Sequence, residues 1–286
     1  MTATAFDLQG HRGARGLAPE NTLQAFATAL AVGVTTLELD TGVTKDGVVV
    51  IHHDRRLNPD IARKPDGRWV EAPTPLIREL TFEELRRFDV GRLKPGSKTA
   101  ADFPDQQPAD GARVPALAEL FDLVAKAGNT VVRFNIETKL TPQAPEETLA
   151  PEPFARAVIA EIRKAGLEAR TSIQSFDWRT LQVVEREAPA IATVYLTGRK
   201  RDSGSQPRAV HAAGGRIWSP NHAEMDSASV VEARALGLSV IPWTVNEPAA
   251  IERVLDLGVD GLISDFPDRA RAQMQRRGLP LPPQAP

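Results

Sequence analysis

Short β-rich runs alternate with amphipathic segments along most of the chain. The first run, Phe6–Gln9, leads into His11-Arg12-Gly13. Beyond it, Leu23, Phe26, Ala27 and Leu30 keep the i, i+3, i+4, i+7 spacing that places one apolar stripe on a helix. Pro19-Glu20-Asn21-Thr22 stands just before that stripe, where Asn or Thr can cap the exposed N–H groups of a first turn. Further strand patterns fall at Thr35–Asp40, Thr130–Ile136, Arg170–Gln174, Ala192–Leu196, Arg216–Trp218, Leu238–Trp243 and Asp260–Ile263. Helical stripes lie between them, for example Leu117, Leu120, Phe121, Val124 and Ile251, Val254, Leu255. Such alternation predicts βα units around a parallel sheet, an α/β fold.

A ninth run, Val48–His53, follows Asp40 too closely for a parallel crossover, which needs about 10–12 residues. Lys45-Asp46-Gly47 lies in the gap, and Asp-Gly is a strong hairpin signal. Thr35–Thr44 and Val48–His53 therefore read as an antiparallel hairpin, which leaves the eight parallel strands of a (β/α)₈ TIM barrel. With Asp46-Gly47 as a two-residue turn, Lys45 pairs with Val48, Asp40 lies opposite His53, and His52 faces away. The stretch from about 55 to 113 fits no βα unit and is rich in Pro, Gly and charge, with one short helix pattern at Phe82–Phe88. It is expected to be a lid-like insertion over the barrel mouth, after the second barrel strand of a single domain spanning 1–286. Gly278–Pro286, with four prolines, should be extended or disordered.

Composition narrows the classes. In 286 residues there are 37 acidic and 35 basic side chains, five histidines and no cysteine. Disulfides, thiolate zinc, iron–sulfur clusters and a thiol nucleophile are excluded. A net charge of −2 offers no basic field for nucleic acid. No apolar run approaches the roughly 20 residues of a membrane span, so integral membrane association is not expected. The first residues show no signal peptide, which points to the cytoplasm as the sequence stands, or to the periplasm if a signal has been removed.

In a barrel of this kind, function sits at the C-terminal strand ends. Those ends carry His11-Arg12, Glu38, Asp40, His53-Asp54, Glu137-Thr138-Lys139, Gln174-Ser175-Phe176, Trp243 to Asn246 and Ser264-Asp265. Acids, bases and cations on one rim suit metal-assisted phosphoryl chemistry. Glu38 and Asp40 share one face of a strand whose alternate residues, Leu37 and Leu39, mark it as central. Unpaired carboxylates there are costly, so a cation is expected. Glu137 poses the same problem. Three carboxylates without a soft ligand favour Mg²⁺ or Ca²⁺ over zinc. His52, His211 and His222 read as ordinary polar residues, while Phe176 and Trp243 are placed for substrate packing.

The ordered set His11-Arg12-Gly13, Pro19-Glu20-Asn21-Thr22, Glu38-Leu39-Asp40, His53-Asp54 and Ile136-Glu137-Thr138-Lys139 resembles the glycerophosphodiester phosphodiesterase family. Ser175-Phe176, Trp243-Thr244-Val245-Asn246 and Gly258 to Asp265 extend the match from about Gln9 to Pro267. The resemblance implies a TIM barrel that uses a divalent cation to hydrolyse small glycerophosphodiesters to glycerol phosphate and an alcohol. It implies Glu38, Asp40 and Glu137 as metal ligands, His11 and His53 as acid–base catalysts, and Arg12 and Lys139 as phosphate contacts. Thr138 departs from the aliphatic residue common there. Two alternatives stand beside this reading. One is phospholipase D-like cleavage of lysophospholipids or sphingolipids, which calls for an apolar way in for an acyl chain. The other is a noncatalytic phosphate-ligand binding barrel, which would have lost a histidine or a carboxylate.

Overall fold

Residues 6–198 and 204–284 are described by a computed structural model. The chain begins with β1 (Asp7–Gly10), α1 (Leu23–Val32), β2 (Thr36–Val43) and β3 (Val49–Ile51). After an insertion carrying α2 (Phe82–Leu85) and α3 (Lys98–Asp102), α4 (Leu117–Lys126), β4 (Arg133–Thr138), α5 (Pro151–Ala165) and β5 (Thr171–Ser175) resume the alternation. It continues through α6 (Trp178–Glu187), β6 (Ala192–Thr197), α7 (Gln206–Ala212), β7 (Ile217–Pro220) and α8 (Ser227–Ala235). β8 (Ser239–Val240), α9 (Pro248–Asp256), β9 (Gly261–Ser264) and α10 (Pro267–Arg276) complete it. Thr22, not Asn21, caps α1, accepting from the Ala25 N–H, and Gly33 ends the helix in the left-handed region at φ 85°.

Eight strands run parallel in the order β8-β7-β6-β5-β4-β2-β1-β9. Asp260 N–H donates to the Val240 carbonyl, and Ile263 N–H to the Pro242 carbonyl, so β9 also meets the β8 segment and the barrel comes nearly full circle. The sequence pattern gives β8 as Leu238–Trp243, but its ladder stops at Val240, because Pro242 has no N–H to donate. The pattern Thr130–Ile136 likewise starts late as β4, since the Asn129 side chain accepts from Val131 and Val132 N–H and holds them in a turn. One apolar cluster joins the sheet's outer face to the helices, with Leu37, Leu39, Phe134 and Ile173 among its members. The barrel axis is polar: Asn135 donates from its side-chain amide to Gln9 and Gln174, and Ser172 to Asn135.

β3 pairs antiparallel with β2, as the hairpin reading requires, but one residue out of the expected register. Thr41 faces Ile51 and Val43 faces Val49, so Asp40 comes opposite His52: the His52 N–H donates to the Asp40 carbonyl at 3.0 Å. The cause is a three-residue loop. The Thr44 hydroxyl donates to Asp46, Thr44 N–H closes on the Val48 carbonyl, and Gly47 takes φ 84°.

The insertion has its own apolar core, with Leu57, Ala62, Val70, Leu85 and Val90 gathered around Val50. The helix expected over Phe82–Phe88 forms only as α2. The insertion meets the barrel at the loop after β1, where Gln107 N–H donates to the Leu17 carbonyl and the Gln106 amide to the Arg15 carbonyl. The chain's end is extended and strapped down, Arg271 donating both to the Gly33 carbonyl and to the Pro282 carbonyl. No helix among the described residues is long and apolar enough to cross a membrane. Leu57 is 1% exposed, so Leu57→Ala should cost about 2–5 kcal/mol in urea unfolding. A loss under about 1 kcal/mol would show that the insertion core contributes little.

Candidate active site

The alternation along β2 sends Leu37 and Leu39 outward, and Glu38 and Asp40 inward. The parallel register sets Asp40 beside Glu137 of β4. One oxygen of each of Glu38, Asp40 and Glu137 lies within 4.8 Å of the others, and all three residues are buried. Glu38 accepts from the Gln174 amide at 2.6 Å and from the Arg12 N–H at 2.8 Å. Asp40 Oδ2 accepts from the Asn21 amide at 2.9 Å, while its Oδ1 accepts no hydrogen bond.

Burial pushes Glu38 well above the usual carboxylate range, and the charges of Asp40 and Glu137 push it further. Burial likewise raises Glu137 to about 7, with Asp40 adding to the effect and Lys139 opposing it. Asp40 is also disfavoured by burial, yet Lys139, His53 and Arg12 hold it well below its ordinary value. Three converging hard oxygens, two of them reluctant to ionise together and one lacking a donor, fit a divalent cation.

Two cations lie among them. Lys139 Nζ is 2.8 Å from Glu137 and 3.5 Å from Asp40. Arg12 Nη1 donates to Glu20 at 2.7 Å, and its Nε is 3.3 Å from Asp40. The loop carrying Arg12 is tightly built. Arg12 and Asn21 adopt left-handed φ values of 49° and 56°, bridged by the Asn21 N–H to the Arg12 carbonyl. A side chain on Gly10 would meet the Gly13 carbonyl oxygen at 2.1 Å, so glycine is required there.

Each histidine leans on its own carboxylate. His11 Nδ1 is 2.5 Å from Asp265 Oδ1, which assigns the proton to Nδ1 and leaves Nε2 toward Glu38, 3.9 Å away. Asp265 accepts in turn from the Asn246 amide at 2.7 Å. His53 Nδ1 is 2.7 Å from Asp54 Oδ1, and Asn58 donates to the other oxygen of Asp54. Burial, with Arg12 and Lys139 near, pushes His53 down to about 4. His53 reaches this rim despite the shifted hairpin register, because the last bond of the pairing is made by His52 N–H to the Asp40 carbonyl and the chain then leaves the ladder. His52 is buried, with Nδ1 at 2.8 Å from the Asp54 carbonyl.

His11, Arg12, Glu38, His53, Glu137 and Lys139 line one cavity of about 160 Å³. Phe176 and Trp243 wall it, packed edge to face at 5.4 Å. A second cavity of about 480 Å³ adjoins it across Phe176 and Leu196. All nine residues singled out from the sequence thus come to one rim. The supporting residues Glu20, Asn21, Gln174, Asn246 and Asp265 sit inside the quoted motifs, but nothing in their spacing shows which functional side chain each would hold. Arg15, also in the lining, carries no sequence signal.

A family model described as the glycerophosphoryl diester phosphodiesterase family matches residues 11–269. A glycerophosphodiester phosphodiesterase of Bacillus subtilis is 30% identical over 268 residues, covering 90% of this chain and 83% of the relative. One from Caldanaerobacter subterraneus is also 30% identical, covering 90% and 93%. The crystal structure of a candidate glycerophosphoryl diester phosphodiesterase from Silicibacter pomeroyi superposes with a TM-score of 0.91 at 39% identity, covering 96% of this chain and 95% of that one. A phosphodiesterase of Oleispira antarctica, solved with sn-glycerol-3-phosphate, shares the fold at TM-score 0.72 and 22% identity, covering 94% and 96%.

A folded value near 4, against ~6.5 for a free imidazole, keeps His53 neutral through pH 6. The unfolded chain takes up this proton first, so the contribution to stability falls as pH drops from about 6.5 to about 4. Nitrogen NMR of chelator-treated protein should show His53 neutral and protonated on Nδ1 at pH 6. An imidazolium there would refute the assignment.

Proposed function

We propose that this chain, which belongs to the glycerophosphoryl diester phosphodiesterase family and is an enzyme of that class, hydrolyses small glycerophosphodiesters to glycerol 3-phosphate and an alcohol. In this reading Glu38, Asp40 and Glu137 hold a divalent cation, Mg²⁺ or Ca²⁺, and His11 and His53 are the acid–base pair. The observation that carries it is the arrangement of two histidines, each oriented by its own carboxylate, around a buried three-carboxylate cluster on one cavity.

A cation bound by those oxygens would supply Lewis-acid polarisation of the phosphoryl group. The neutral His53 accepts a proton from the attacking hydroxyl through Nε2, its Nδ1 being committed to Asp54. The oxygen of water, or of the substrate's own glycerol hydroxyl, bonds to phosphorus as the bond from phosphorus to the alcohol oxygen breaks; in the second case water then opens the cyclic phosphate to glycerol 3-phosphate. His11 acts as the acid with both ring nitrogens protonated: its Nδ1–H stays on Asp265, and its Nε2 proton goes to the departing alkoxide. Arg12 and Lys139 favour the negative charge that gathers on the nonbridging oxygens. Phe176 and Trp243 pack against the apolar edge of the substrate. The adjoining cavity, lined by Thr141, Gln143, Thr197 and Ser205 together with Phe176, Trp178 and Leu196, offers room for the alcohol portion of the substrate.

Phosphorus NMR on a panel of glycerophosphodiesters should show glycerol 3-phosphate as product. His11→Ala and His53→Ala should each lower turnover by about 10²–10⁴-fold. Near-normal turnover in either variant, or full activity after exhaustive chelation, would overturn the assignment. Because Glu137 is raised to about 7, a cation must displace a proton there at lower pH. Added Ca²⁺ or Mg²⁺ should therefore raise Tm more at pH 8 than at pH 6, and an equal rise at both would contradict this.

A further inference from the structure

A third cation, Arg15, lines the cavity beside His11 and Arg12. Arg12 and Lys139 are both committed to carboxylates, Arg12 to Glu20 and Asp40, Lys139 to Glu137 and Asp40. Arg15 is held differently. Its Nε lies 2.5 Å from Glu20 Oε2, and its guanidinium sits 4.6 Å from the ring centroid of Phe103, a residue of the insertion. Phe103 in turn rests on Phe266 at 6.0 Å, next to the Asp265 that orients His11. Backbone bonds fix the same segment, since Gly16 N–H donates to the Asp265 carbonyl and the Arg15 carbonyl accepts from the Gln106 amide.

The guanidinium is thus held by charge against Glu20 and on one face by Phe103, while none of its nitrogens makes a hydrogen bond to any described residue. Its side chain keeps 20% exposure in a cavity where it is otherwise enclosed. A planar fork with both tips unspent suits an oxyanion. The anion common to every glycerophosphodiester is the phosphodiester itself.

We propose that Arg15 is a substrate-binding residue whose terminal nitrogens hold a nonbridging phosphate oxygen of the substrate, and that Phe103 of the insertion sets its direction. This rests on the phosphodiesterase reading of the same site. It gives the insertion a defined part in recognition: it supplies the face on which one substrate-binding arm is laid. Contact made equally in the bound substrate and the transition state raises KM when removed and leaves kcat nearly alone.

The test compares wild type with Arg15→Gln, Arg15→Lys and Phe103→Leu on glycerophosphocholine and glycerophosphoglycerol. The Kd for sn-glycerol 3-phosphate is measured by calorimetry on the same cation-loaded proteins. Arg15→Gln should raise KM on the order of tenfold for both substrates, with kcat within about twofold, and raise Kd by a similar factor. Arg15→Lys should recover part of this, and Phe103→Leu should shift KM and Kd the same way by less. Unchanged KM and Kd would overturn the proposal. So would a fall in kcat alone, the mark of a merely structural clamp on Glu20, or an effect confined to one alcohol. If wild type turns over neither substrate, the phosphodiesterase reading fails, and the calorimetric comparison still decides whether Arg15 binds the phosphate.

Discussion

Holding Glu38, Asp40 and Glu137 together in the barrel end, with one oxygen of each within 4.8 Å of the others, is the constraint around which the site is arranged. Like charges this close and this buried repel strongly, and removing them from water adds to the cost. The surroundings offset that cost piece by piece. Gln174 and the Arg12 N–H donate to Glu38, Asn21 donates to Asp40, and Lys139 and Arg12 bring positive charge to the cluster. What remains is Asp40 Oδ1, which accepts no hydrogen bond and has the Lys139 ammonium 3.5 Å away.

The loop after β1 is the mechanical counterpart of that cluster. It carries His11, Arg12, Arg15, Glu20 and Asn21, and it includes two non-glycine residues in left-handed conformations. Such backbone persists only when its surroundings over-determine it. Here β2 holds it from one side through Glu38 and Asp40, and the insertion holds it from the other through Phe103, Gln106 and Gln107. The insertion's separate core lets it serve as a firm support. Among the described residues it adds none to the lining of the cavity that holds the histidines.

Much of this was legible from local pattern. The eight parallel strands follow from alternation and spacing, and the hairpin follows from Asp46-Gly47 and a gap too short for a crossover. The hairpin's register was not legible, because it depends on the Thr44 hydroxyl reaching Asp46 and widening the turn by one residue. His53 arrives at the rim because the chain leaves the ladder after the His52 N–H bond to the Asp40 carbonyl. The roles of Gln174, Asp265 and Arg15 were hidden for a different reason. Each acts on a residue distant in sequence or on a ring from the insertion, and no spacing rule reports such contacts before the barrel closes. The polar barrel axis of Gln9, Asn135 and Gln174 belongs to the same class.

The proposed divalent cation site rests on the three buried carboxylates. Calorimetric titration of chelator-treated protein with Ca²⁺ or Mg²⁺ tests it most directly, with Glu137→Gln run alongside. One cation should bind per chain, with a Kd at least about tenfold weaker in the variant. Absence of binding to the wild-type protein, or an affinity that Glu137→Gln leaves unchanged, would contradict it.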